Sequence, residues 1–128
     1  MSTAKKPAII AAVVLALLII FQVLLAAGLP LGRAAWGGEH RVLPANLRMG
    51  SVLAVVILGI AVFVVLARAG LIATGSGSRA VRIVAWVFAG YFCLNILMNL
   101  LSKSPPERYI MTPVAAVTAV CFVLVARS

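Results

Sequence analysis

Residues 7–28 read PAIIAAVVLALLIIFQVLLAAG, 22 positions without a Lys, Arg, Asp, Glu or His and with the amide of Gln22 as the only strongly polar side chain. About 20 such residues, wound as a helix, cross a hydrocarbon core of about 30 Å. How this run is read decides how often the chain crosses the membrane. Lys5 and Lys6 precede it and Ala26-Ala27-Gly28 closes it, which is the outline of a cleavable signal. A signal core, however, holds about 7–15 apolar residues, whereas Ala8 to Ala27 spans 20. The run is therefore expected to remain as a first membrane helix.

Three more uncharged runs follow, Met49 to Ala67, Ile83 to Leu101 and Tyr109 to Ala126, the shortest of 18 residues. Backbone in lipid must satisfy its own hydrogen bonds, and no ten-residue alternation suggests a barrel, so helices are expected. The expected fold is all-α: a polytopic membrane protein built as an antiparallel bundle of four transmembrane helices. The helices should cover about 7–28, 49–69, 82–102 and 109–126, with an outer loop at 29–48, and residues 1–128 should form a single domain. The chain is 65% hydrophobic and 10% charged, and its longest non-spanning piece, Leu29 to Arg48, has 20 residues. That is too short for a core of its own, since chains below about 40 residues usually need disulfides, metals or partners to fold.

Composition also excludes several functions. The formal net charge of +9 is scattered over the connections without a basic stripe or an interleaved aromatic platform, so nucleic acid is not an expected partner. The cations are expected to snorkel at helix ends and to meet anionic headgroups. Cys93 and Cys121 fall inside spans, where they read as packing residues, and no CxxC is present. One histidine and two acidic residues in the whole chain make a metal cage hard to assemble, so no metal and no cofactor are expected.

The chemistry concentrates in the connections. Glu39, His40 and Glu107 fall in the first and third of them, which share one side of the membrane if all four runs span. With the N-terminus inside, the inner side holds Lys5, Lys6, Arg68, Arg79, Arg82 and Arg127, against Arg33, Arg41, Arg48, Lys103 and Arg108 outside. The first helix usually dominates orientation, and it carries Lys5 and Lys6, so both termini are expected in the cytoplasm. The second connection, Gly and Ser rich around Thr74 to Ser78, reads as a flexible linker. In the third, Pro105-Pro106 is expected to hold the chain extended before helix 4. The first, LPLGRAAWGGEHRVLPANLR, is long, and long connections are more often functional. Either it lies at headgroup level with Trp36 as anchor, or it folds back as a lid, with Gly37-Gly38 making a turn that presents Glu39, His40 and Arg41.

Polar residues within the spans favour one end. Gln22 and Asn95 fall at similar depth near the outer ends of their helices, and Tyr91, Asn95 and Asn99 recur at i, i+4 and i+8, continued by Ser102 and Lys103. Ser51 and Thr112 lie near outer ends too, and only Thr118 breaks the apolar inner half. These groups read either as interhelical glue, helped by the small pairs Gly50/Ala54, Ala85/Ala89 and Ala115/Ala119, or as a pocket open to the outer leaflet. A through-pore is disfavoured by the apolar inner half. A proton-coupled exchanger like the small four-helix multidrug transporters is disfavoured because helix 1 offers Gln22 where those carry a carboxylate.

The segment Leu29 to Pro44 with Leu47-Arg48, together with Asn99 to Ser104, Pro106 to Arg108 and Met111 to Pro113, resembles a group of uncharacterised small bacterial four-helix integral membrane proteins to which no activity is assigned. The resemblance implies a bacterial inner (plasma) membrane and carries no site residue across.

Two classes of function remain. The first is a non-catalytic membrane component, whether a packing subunit, an assembly factor or an accessory protein binding a lipid or small molecule at the outer leaflet, that uses the outer-face loops 29–48 and 102–108, alone, as a homo-oligomer or within a larger membrane complex. Its candidate binding residues are Gln22, Trp36, Glu39, His40, Arg41, Arg48, Tyr91, Asn95, Asn99, Lys103, Glu107 and Arg108. The second is a small enzyme or transporter-like protein handling a lipid or small anionic molecule, with Glu39 or His40 as general acid or base and Arg41, Arg48 or Arg108 holding a phosphate or carboxylate. Charge balance further suggests that Glu39 pairs with Arg108 or Arg48 and Glu107 with Lys103 or Arg33. For the orientation, a membrane-impermeant thiol reagent applied to intact cells should label a cysteine placed in the 102–108 connection and leave one at position 76 untouched; the opposite pattern inverts the topology.

Overall fold

The computed structural model describes residues 2–72 and 76–128. Its helices are α1 (Ser2–Ala26), α2 (Ala45–Arg68), α3 (Arg79–Leu100) and α4 (Thr112–Ala126), the last continuing a wider π-wound turn, Glu107–Met111. Four spans of 20 to 24 residues are long and apolar enough to cross a membrane, which makes this a multi-pass all-α bundle. Thr74 and Gly75 of the expected linker lie outside the described residues.

The helices run past the uncharged stretches at several ends because a charged residue does not stop helical hydrogen bonding. Lys5, Lys6, Arg48, Arg79 and Arg82 are all helical and exposed, as long side chains at a membrane boundary can be. The stops are set by the backbone instead. At the end of α1, Gly28 takes φ +93 while Gly28 N–H donates to Leu25 O and Leu29 N–H to Leu24 O. Gly70 (φ +75) and Leu71 repeat the pattern on Ala67 O and Leu66 O, so both helices close with a Schellman motif that needs a left-handed residue. Ser78 caps α3, its Oγ accepting from Val81 N–H at 3.4 Å.

The prolines before α4 correct the sequence expectation. Pro105 and Pro106 are helical, Pro106 at φ −59 and ψ −41, and Arg108 N–H donates to Ser104 O. A proline in the first turn loses only an N–H that has no intrahelical partner, so the pair starts the helix rather than holding the chain extended. Pro113 then arrives inside the helix, and the preceding turn widens, Thr112 N–H reaching Glu107 O; such bulges relieve the ring's clash with the turn below and recur at functional sites.

Helix α1 packs against α2 and α4, and α3 packs most closely against α4. Lipid-facing stripes run down each helix, for example Ile9, Val13, Leu17 and Ile20 on α1 and Met49, Val52, Val56, Ile60 and Phe63 on α2. Inward faces are small: Ala4, Ala8, Ala11, Ala61, Ala69, Ala89 and Ala119 share one core with Leu15, Val65, Phe92, Phe122 and Val125. Because lipid tails are as apolar as leucine, close backbone approach through such residues, rather than hydrophobicity, holds membrane helices together. The pairs Ala85/Ala89 and Ala115/Ala119 are buried as expected. Gly50 instead receives a loop side chain: a Cβ there would lie 3.0 Å from the Trp36 ring. Cys121 is buried, but Cys93 is exposed on the lipid face, so only the first acts as packing.

Ala119→Leu, at a 2%-exposed core position, should lower stability in detergent by about 1–3 kcal/mol through overpacking, whereas Val13→Leu on the lipid face should leave the melting temperature essentially unchanged; thermal unfolding of both variants checks this.

Candidate functional site

The first connection folds back over the helix ends. Ala35 and Leu43 are buried against Leu25, with Phe21 and Leu47 packed around them. Gly32 N–H donates to Arg41 O at 2.8 Å and pinches the loop closed, with the His40 carbonyl so near that Gly32 has no room for a Cβ. Three successive residues, Trp36 (φ 52), Gly37 (φ 80) and Gly38 (φ 73), are left-handed. Glycines adopt this freely, but for tryptophan it stores about 1–3 kcal/mol of strain. What the turn secures is the indole: Trp36 Nε1 donates to Ser51 Oγ at 3.1 Å and the ring covers Gly50. On the far side of the turn Gly38 lies against Ser104, whose hydroxyl donates to Arg33 O and so fastens the loop to the α3–α4 connection.

Beneath this loop is a cavity of about 220 Å³, bounded by Ala34, Ala35 and Trp36 above and by all four helices. Its polar lining is Gln22 from α1, Tyr91, Asn95 and Asn99 from α3, and Glu107 and Thr118 along the last helix. Glu107 to Thr118 covers roughly 16 Å at the helical rise, so the cavity reaches from the loop end to about mid-membrane. Phe92 is part of its wall and is held in a buried aromatic group, 5.0 Å from Phe122 and 6.1 Å from Phe88 between centroids. Below, the alanine-lined core closes the bundle, while α2 and α3 meet near Val64 and Ala85, and Ala54 and Leu58 of α2 form part of the cavity wall.

Of the candidate residues, the structure brings Gln22, Trp36, Tyr91, Asn95, Asn99 and Glu107 together around one space. Glu39, His40, Arg41 and Lys103 are exposed and outside it. The Gly37-Gly38 turn therefore presents Glu39, His40 and Arg41 outward and directs Trp36 inward.

The expected ion pairs are replaced by other bonds. Among the described residues no Lys or Arg nitrogen comes within 4.0 Å of either carboxylate. Glu107, 7% exposed, accepts from Ser102 Oγ at 2.6 Å, and the same hydroxyl accepts from Ser104 N–H. The arginines serve helix ends: Arg48 Nε donates to Ala26 O at 2.9 Å, and Arg108 Nε to Leu100 O at 3.4 Å. At the opposite end Arg68 Nη2 does the same for Ala126 O at 3.3 Å. A helix C-terminus carries unpaired carbonyls and partial negative charge, which is sufficient demand for a cation without any carboxylate.

Leu18, Phe21, Phe92, Met111 and Val114 of the lining were not singled out by sequence, because apolar residues in an apolar span carry no distinguishing signal. Thr118 did carry one, as the polar residue that interrupts the apolar inner half of the spans. Ser104→Ala should remove the bond to Arg33 O and Trp36→Phe the bond to Ser51, each worth about 0.5–1.5 kcal/mol; both should loosen the loop, read as faster proteolytic cleavage between residues 29 and 44 with the four helices intact by circular dichroism.

No protein-family model, curated protein or solved structure matches the chain, so the site is read from its own geometry.

Proposed function

We propose that this protein is a non-catalytic membrane component that holds a small amphiphilic molecule in the loop-end half of its bundle, beneath the Trp36 turn. The observation that carries the reading is the cavity itself, where residues from all four helices and the folded-back loop bound about 220 Å³ of space with six polar residues in the lining. Interhelical glue would bring such groups to one another, yet Asn95 and Thr118 bond only to carbonyls of their own helices, at Tyr91 and Val114. Gln22 Oε1 is buried with no partner at all, a cost of about 1–3 kcal/mol that a ligand can relieve.

The size suits a headgroup or a compact molecule. An apolar cavity of about 150 Å³ takes benzene, and drug-sized pockets begin near 300 Å³. Half-exposed Tyr91 and the surrounding lipid-facing residues of α3 leave room for an apolar tail to remain in the bilayer. The enzymatic alternative finds less support, since the groups that would act as acid or base, Glu39 and His40, are exposed on the outer face of the turn. Lys5 and Lys6 before α1 favour cytoplasmic termini, which puts the cavity in the outer leaflet, and the bacterial plasma membrane is the membrane we propose on the sequence resemblance.

Ala115→Phe, at a 6%-exposed position on the cavity wall, fills the space. Native mass spectrometry of the wild-type chain released from gentle detergent should show a bound small species that the filled variant lacks at equal folding; the same adduct on both proteins would place binding elsewhere.

A further inference from the structure

Resting on the reading of the cavity as a ligand site, we infer that its ligand carries a hydrogen-bond-donating cationic head, an ammonium, and that Glu107 receives it. The chain has a formal net charge of +9, yet among the described residues the one charged group in the cavity lining is a carboxylate. None of the cations at this end contributes to the lining: Arg48 and Arg108 are bonded to helix carbonyls, and Arg33, Arg41 and Lys103 are exposed. Glu107 is 7% exposed and has a hydroxyl partner for one oxygen, Ser102 to Oε1. An anionic head would meet that carboxylate with no cation to offset it, in a site of low dielectric where the repulsion is strong.

The uncharged groups point the same way. Asn95 Nδ2 donates to Tyr91 O at 3.0 Å and Thr118 Oγ1 to Val114 O at 2.8 Å, the backbone carbonyls one turn earlier on their own helices. A hydroxyl or amide that gives a proton to its own helix keeps its oxygen lone pairs free, so Asn95 Oδ1 and Thr118 Oγ1 remain acceptors at the cavity wall, while the second Nδ2–H of Asn95 remains a donor. Gln22 Oε1 is a further acceptor without a donor, and the soft terminal torsion of glutamine lets a ligand draw it in. An ammonium has three donors and no acceptor, which complements such a set. Phe21, Tyr91 and Phe92 in the lining bring aromatic rings, whose π systems attract cations, to the cavity wall. A free amine and the amino head of a phospholipid share this chemistry.

The test uses the full chain in non-ionic detergent with Trp86, which is lipid-facing, replaced by Phe so that emission reports Trp36 above the cavity. It is titrated with n-octylammonium, n-octanol and n-octyl sulfate, probes that differ only in the head. Octylammonium should saturate at a concentration at least about tenfold below octyl sulfate, the scale of one charge-assisted hydrogen bond. Glu107→Gln should bring octylammonium to the level of octanol, and Glu107→Asp should keep the preference, which separates loss of charge from loss of fold. Octyl sulfate binding as tightly as octylammonium, or an unchanged preference in Glu107→Gln, overturns the inference and leaves the ligand site standing. If no probe saturates, or if Ala115→Phe saturates like the wild type, the ligand site itself falls. Native mass spectrometry from nanodiscs separates the sources: retention of phosphatidylethanolamine over phosphatidylcholine and phosphatidylglycerol assigns the lipid head, and equal retention of the three with octylammonium still bound assigns a free amine.

Discussion

Close approach of backbones through alanine is the constraint on which the bundle depends. With lipid as solvent there is no gain in burying a leucine against another leucine, so helices adhere where small side chains let many atoms touch. Ala4, Ala8 and Ala11 on α1 share one buried core with Ala61 on α2, Ala69 just after it, Ala89 on α3 and Ala119 on α4. That contact occupies the half of the bundle holding the termini. Toward the loop end the inward positions become Leu18, Gln22, Leu58, Tyr91, Asn95 and Asn99, which are too large for the same approach, and the helices enclose a cavity there.

Closing that cavity falls to a loop of mixed polarity, which buries only Ala35 and Leu43 of its hydrophobic residues. It does so by using backbone and single side chains economically: Gly32 bonds across to Arg41, Ser104 holds the Arg33 carbonyl, and Trp36 accepts a left-handed backbone so that its indole reaches Ser51. Strain held at a residue over a cavity is the pattern expected where a segment must be positioned for binding. The same end gathers the C-termini of α1 and α3, and two of the arginines that sequence suggests for ligands or carboxylates, Arg48 and Arg108, are occupied by their carbonyls. This leaves the cavity with an electrostatic character opposite to that of the chain as a whole.

The π-wound turn at Glu107–Met111 links these features. It lies between the prolines that start the last helix and Pro113 within it, and the carboxylate it carries faces the cavity at the point where the α3–α4 connection meets the loop. Ser102 and Ser104 bind the turn on one side and the loop on the other, so the loop and the charged cavity group Glu107 share one short polar hinge.

What the sequence determined by itself was the number, type and length of the elements, since membrane-crossing helices follow from the length of uncharged runs and from the need of backbone in lipid to bond to itself. It also determined which end holds the polar groups, and the i, i+4, i+8 stripe of Tyr91, Asn95 and Asn99 is visible as such because helical periodicity is local. Only the tertiary structure decided that Gln22, Glu107 and Thr118 join that stripe around a cavity, that Glu39 and His40 turn away from it, and that arginines bond to helix ends rather than to acids. Charge counting treats a carboxylate as the only partner for an arginine, whereas a helix C-terminus brought near by folding offers unpaired carbonyls. Such a partner has no side-chain signature, and it exists only once the neighbouring helix has been packed into place.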